Sequence, residues 1–365
     1  MRSHNSSEVT THRAATACAG RIWAALLIMG LLACGYSLLH GDAGRLWRAL
    51  LIQFIYFVPL SAGLVVWSAV VLVSRGRWAA SIEHLALGGV SFSLPSAAAL
   101  IALWCGAASS GLWRVPSDPA VSHWLRADFR FGRDLAALAI FWWLAWCHLR
   151  ARRRGGGAST GGVLIVVYGL VFSLLGFDLV MALDPLWNSA LFGGYFFISG
   201  LYAAVAAWAL MAAAQRTPDP DCLHDLGRLV VVFSLLTAYM MYSQLLPIWF
   251  ENLPAEVRFV MPRWSAAGWK AAGAAVLGVV YFGPLILLLP VRAKRSPRWL
   301  GTVATLVLIG LWMERWWLVA PTFDPRPSLG IEDGAMAAVF AGALGVCFQA
   351  FRRRALPLSE GAPRA

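Results

Sequence analysis

Ten apolar runs of roughly twenty residues, joined by short polar connectors, account for most of this 365-residue chain. They fall at 22–39, 49–73, 82–108, 134–149, 162–183, 190–214, 226–250, 268–291, 299–320 and 334–351. A helix rises 1.5 Å per residue, so about 20 apolar residues cross the hydrocarbon core of a bilayer. Only helices and closed barrels satisfy every backbone N–H and C=O there. The alternating pattern of a barrel strand is missing from the runs. The expected fold class is therefore all-α, a polytopic transmembrane helical bundle of about ten spans. The expected divisions are an N-terminal tail over 1–21, a transmembrane domain over 22–351 and a C-terminal tail over 352–365. The first run with its basic flank resembles a signal peptide ending at Leu31-Leu32-Ala33-Cys34, but Leu32 is a poor small-residue match, and a first transmembrane helix fits better. The run 134–149 is the shortest. The connector 109–133 is long enough to hold a surface helix, and Gly155, Gly156 and Gly157, after four arginines, read as a flexible basic loop between two halves.

Composition excludes whole classes of function. With 59% hydrophobic and only 13% charged residues, against about 25% charged in soluble domains, neither a soluble enzyme nor a disordered chain fits. The net charge of +12 belongs to loops at a membrane surface rather than to nucleic-acid binding. Assigning Lys and Arg to alternate sides, with Arg228 and Lys270 at run ends counted with the adjoining connectors, puts 19 of 29 on one side, which the positive-inside rule makes cytoplasmic, with both termini there. The six cysteines form no Cys-x-x-Cys pair, so no iron–sulfur cluster and no metal site is expected. None of the seven histidines lies in mid-span, so no haem is expected either.

Ionisable groups inside hydrocarbon cost several kcal/mol unless paired or hydrated. Asp178, Gln244, Glu314 and Arg315 each lie about six residues before the outer end of a run, roughly 8–9 Å below the surface at the helical rise. Tyr195 shares that depth, and Gln53 lies close to it. Alignment at one depth favours a functional layer over unrelated interhelical hydrogen bonding. At the inner ends, Glu83, His84, His224 and Asp225 sit at helix starts, where acidic groups suit the dipole. Pro59, Pro95, Pro247 and Pro284 lie within spans and are expected to bend them.

Two stretches are more specific. FDLVMALDPLWNSALFGGYF spans 177–196, and HDLGR at 224–228 is followed by Tyr239, Ser243, Gln244 and IWFENLP at 248–254. Together with ERWWLVAP at 314–321 and DFRFGR at 128–133, they resemble the ActF-type membrane subunit of bacterial alternative complex III, within the NrfD/PsrC-like superfamily. Leu179 stands where that family usually has Trp, Leu186 where it has His, and Glu314 where it has Asp. The resemblance implies two four-helix bundles with flanking helices in a bacterial cytoplasmic membrane, packed against a homologous NrfD-like membrane subunit. It implies multihaem cytochrome and iron–sulfur partner subunits that carry the redox cofactors, leaving this chain with none of its own. Quinone, as menaquinol or ubiquinol, would be the substrate of such a complex. On this reading Asp178, Gln244 and Glu314 handle protons or quinone, and Tyr195, Gln53, Tyr239, Ser243 and Arg315 line the same cavity. Two other readings stay open: a secondary transporter, although no repeat between the halves stands out, and a non-catalytic membrane scaffold.

Overall fold

Each apolar run falls on a helix, and several helices extend into the polar flanks: the first begins at Ser3, within the segment expected as a tail, and the last runs through Arg352, Arg353 and Arg354. The computed structural model describes residues 3–41, 43–113, 119–251, 254–265 and 268–355. Its ten long helices are α1 (Ser3–His40), α2 (Ala43–Val73), α3 (Glu83–Ser110), α4 (Ala127–Arg153), α5 (Ala158–Leu179), α6 (Phe192–Ala213), α7 (Pro220–Glu251), α8 (Trp269–Leu287), α9 (Pro297–Val319) and α10 (Ile331–Ala355). Short helices occupy the α3–α4 connector (Pro119–Leu125) and the α7–α8 connector (Pro254–Ser265). No strand occurs among the described residues. Nine of the helices described are long and apolar enough to cross a membrane, and the chain is an integral membrane protein. The remaining one, α4, carries Arg130, Arg133 and Asp134 near its start and Arg150, Arg152 and Arg153 at its end. Its apolar middle is packed between α3 and α5.

The helices form two four-helix bundles. Helices α2 to α5 close one ring, each packed on the next and α5 back on α2; α6 to α9 close a second in the same order. The bundles meet along α2 and α6, the two most buried spans. Small residues allow that contact: a Cβ on Gly200 would lie 2.7 Å from Pro59 Cβ, and one on Gly63 would lie 2.8 Å from Ala204 Cβ. Close packing over small residues is the usual basis of helix association in lipid, where no hydrophobic force acts between helices. α1 and α10 pack on one another and flank the first bundle through α2.

The two bundles are wound alike, which the sequence does not advertise. Each has a short helix on its second connector, the second bundle carrying a further one (Val291–Arg295) on its third, and each ends its last helix the same way. α5 stops at Leu179, makes a 3-10 turn (Met181–Leu183) and reaches Asp184-Pro185. α9 stops at Val319, makes a 3-10 turn (Ala320–Thr322) and reaches Asp324-Pro325. The carbonyls freed at these ends need donors. Trp113 Nε1 donates to Leu179 O at 3.2 Å, and Arg263 donates to Leu318 O. The glycine-rich loop at 155–157 therefore lies between α4 and α5, inside the first bundle, and the halves divide instead at the α5–α6 connector. Gly155 and Gly157 have φ of +80° and +114°, a region that favours glycine, so the loop is a turn of defined shape.

Two spans are interrupted. α3 opens as one helical turn (Glu83–Leu87) and a 3-10 segment (Gly88–Phe92) before continuing from Ser93, with Pro95 in its first turn. α8 contains a π segment (Leu277–Phe282) just ahead of Pro284. Proline has no N–H to give to the preceding turn, and the wider π turn accommodates that loss. Pro59 and Pro247 instead lie inside continuous helices.

Candidate functional site

The centre of the second bundle holds a buried acid beside a buried base. Glu314 and Arg315 are adjacent on α9, and both are buried. Glu314 Oε1 accepts hydrogen bonds from Tyr195 of α6 and, at 2.6 Å, from Tyr281 in the π segment of α8. Arg315 turns the other way, donates to Ser199 Oγ and lies 4.8 Å from the Phe196 ring centroid. Glu314 Oε2 and Arg315 Nη1 are 3.9 Å apart, and neither has a hydrogen-bond partner. Two turns below, Tyr202 donates to the Val280 carbonyl of the π segment at 2.8 Å.

Tyr195 belongs to two environments at once. Its hydroxyl meets Glu314, and the residue lines a small cavity of about 30 Å³ together with Gln244, Met241, Phe192, Trp317 and Arg263. That volume admits one or two waters and is far smaller than the few hundred Å³ typical of organic-ligand sites. Gln244 is buried, donates to Met240 O at 3.2 Å and accepts from Ser189 at 3.4 Å. The cavity is roofed by Trp187 of the α5–α6 connector, stacked on Phe259 of the α7–α8 connector at 3.9 Å between centroids. Arg263 pins this roof down. It donates to Phe259 O, to Leu318 O and, at 3.1 Å, to Thr322 Oγ1. Burial pushes its guanidinium down to about 9, opposed by Asp184, so it remains a cation at neutral pH.

Asp178 lies elsewhere. It sits in the last turn of α5, closer to the helix end than the sequence placed it, and pairs with Arg133 at the start of α4. The Arg133 guanidinium lies 3.7 Å from the Trp124 ring centroid, and Arg130 lies 4.5 Å from that of Trp113. Asp134 is fully buried, and neither of its oxygens has a hydrogen-bond partner. Asp178, Asp134, Arg130 and Arg133 thus form a separate cluster in the first bundle. It shares no hydrogen bond or ion pair with the Glu314 group.

The other expected residues divide as follows. Gln53 is buried on α2, where its Oε1 accepts from Trp312 Nε1 at 3.0 Å and its amide nitrogen has no partner. Through Trp312 it borders the Glu314 turn of α9. Tyr239 does not line the cavity: it is 62% exposed, because five residues separate it from Gln244 and turn it to the outside of α7. Ser243, one residue before Gln244, is half-buried and also lies off the cavity wall. Tyr281, Ser199, Arg263 and Asp134 were not singled out by sequence. A buried phenol in an apolar run reads as one more aromatic, and Asp134 reads as the polar edge of a span.

At the opposite end of the first bundle, Glu83 receives both ends of the Arg152 fork at 2.7 Å and Ser68 at 3.1 Å. Ser68 also contacts the buried His148 Nε2 at 3.2 Å. Glu83 is thus held by an ion pair rather than by its helix dipole alone. Among the described residues no cluster of His, Cys, Asp or Glu could hold a metal ion. Comparison with protein-family models finds no match for this chain, and comparison with curated proteins finds none.

Proposed function

We propose that the chain is the membrane subunit of a quinol-oxidising respiratory complex of the alternative complex III type, seated in a bacterial cytoplasmic membrane with both termini cytoplasmic, and that its own part is proton handling. One observation carries this reading. Tyr195 lines a cavity fit for water, and its hydroxyl is bonded to the buried Glu314. Glu314 is in this reading the proton-holding group, Tyr195 the link between it and cavity water, and Gln244 the polar group that orients that water. Arg315 offsets the charge of the ionised acid. A proton relay needs groups within hydrogen-bond reach of one another, directly or through one water, and the Tyr195 hydroxyl meets that requirement on the Glu314 side. The cavity is too small for a quinone ring, so no quinone is placed in it, and menaquinol or ubiquinol would react elsewhere in the complex. Haem and iron–sulfur groups are assigned to multihaem cytochrome and iron–sulfur subunits, and a homologous NrfD-like subunit is the expected neighbour in the bilayer. Asp178 is assigned to the Arg133 cluster and not to the relay.

The interruptions of α3 and α8 favour a second reading, since broken helices mark the binding sites of many secondary transporters. One experiment separates the two. The tagged chain, purified from its native membranes in mild detergent, is expected to bring cytochrome and iron–sulfur subunits with it and to oxidise quinol with an added acceptor. A chain that purifies without such subunits, and whose membranes take up a solute without quinol oxidation, would overturn the first reading.

A further inference from the structure

We infer that the trough between the C-terminal end of α6 and the N-terminal half of α9 is a binding site for an anionic membrane phospholipid, its acyl chain in the trough and its headgroup at Arg298 and Arg216. The trough has a volume of about 470 Å³ and is open to the outside of the molecule. It exists because the facing residues are small: Ala213 and Ala214 on α6, Gly301 on α9. A Cβ on Gly301 would stand 3.6 Å from Ala213 Cβ, so any larger side chain would fill the space. Thr302 and Thr305 on its wall donate their hydroxyls to carbonyls of their own helix, at 2.9 and 2.8 Å. The wall therefore presents no unsatisfied donor to an acyl chain, and Leu210 and Leu306 complete an apolar lining.

The mouth of the trough has the opposite character. Arg298 lies on its rim and Arg216 follows two residues after Ala214; both are exposed, and neither has an ion-pair partner among the described residues. Of the acids nearby, Asp221 pairs with Arg295 at 2.8 Å, and Asp219 keeps its charge while one of its oxygens accepts the Asp221 N–H at 3.0 Å. Gln215, between Ala214 and Arg216, has a buried amide nitrogen with no partner. The mouth also lies beside the N-terminus of α9, the positive end of a 23-residue helix. Basic pockets between transmembrane helices at headgroup level are the recurrent site for anionic lipid headgroups, and charge complementarity selects that occupant over a zwitterionic one. The inference needs only that the chain lies in a bilayer and stands apart from the quinol reading.

The test uses the full chain, purified with any subunits that accompany it, stripped of lipid and titrated with cardiolipin, phosphatidylglycerol or phosphatidylcholine under native mass spectrometry. The parent is expected to retain the anionic lipids and to lose phosphatidylcholine readily. Arg216→Gln with Arg298→Gln, both at exposed positions, is expected to weaken anionic binding about 25-fold, given roughly fivefold per basic residue at a membrane surface. Gly301→Leu keeps both charges but fills the trough, and is expected to displace the lipid as well. Equal retention of both lipid classes by the parent would overturn the assignment. So would anionic binding undiminished in both variants.

Discussion

At the scale of the residue, Glu314 is the group on which the site turns. One of its oxygens is held by two phenols, whereas the other faces a guanidinium 3.9 Å away without a hydrogen bond. Removing one partner of a buried charge pair leaves the other uncompensated and costs about 3–5 kcal/mol. Glu314→Ala is expected to lower stability by about that amount, read as the shift in thermal unfolding in detergent. Glu314→Ala combined with Arg315→Met is expected to regain most of it. If the double variant is no more stable than the single one, the two side chains do not act as a pair. The two phenols are not equivalent. Tyr195→Phe cuts the carboxyl group off from the cavity and is expected to slow turnover of the assembled complex about tenfold or more, in the range of general acid–base contributions. Tyr281→Phe removes a bond to the same oxygen but leaves that link in place, and is expected to have a clearly smaller effect on the same assay. Glu314, Arg315, Tyr195 and Gln244 were legible in the sequence because polar groups stand out in apolar runs. Tyr281 was not, since nothing in a linear pattern separates a bonded phenol from a packing aromatic.

At the scale of the element, position along a span is legible and direction around it is much less so. Asp178 and Glu314 have the same expected depth in the sequence, yet Asp178 lies one residue and Glu314 five residues before the end of its helix, and they end in different bundles, because depth is one coordinate and lateral neighbours are set by how helices pack. The same limit applies to Tyr239, which has the right depth range and the wrong face of α7. The helix interruptions were signalled by Pro95 and Pro284, although sequence alone does not distinguish a 3-10 segment from a π segment. The α2–α6 contact makes a direct prediction. A Cβ on Gly200 would lie 2.6 Å from Tyr168 Oη and 2.7 Å from Pro59 Cβ. Gly200→Ala is therefore expected to destabilise by about 1–3 kcal/mol through overpacking. Gly169→Ala on α5, where a Cβ meets nothing within 4 Å, is expected to be neutral or to gain about 0.5–1 kcal/mol. Thermal unfolding of the two variants side by side checks both. Equal shifts would mean that α2 and α6 do not approach as closely as described.

At the scale of the whole molecule, the span pattern and the alternation of basic connectors made the helical bundle legible, while its division into bundles was expected only through a family resemblance. The likeness between the bundles is carried by how helices end and which connectors hold short helices, features that need few shared residues. The topology has its own test in a cysteine-free background. Single cysteines replacing Arg77 and Gly156 are expected to be labelled by an impermeant reagent from one side of the membrane, and one replacing Asn188 from the other. Labelling of Arg77→Cys and Gly156→Cys from opposite sides would show that only one of α3 and α4 crosses. The central claim, that Glu314 passes protons for a quinol-oxidising complex, is tested most directly by the rate of quinol oxidation in the assembled complex carrying Glu314→Gln. The account predicts a loss of about tenfold or more with subunit composition and haem content unchanged. A complex that keeps full quinol oxidation and full proton release with Gln at that position would contradict it.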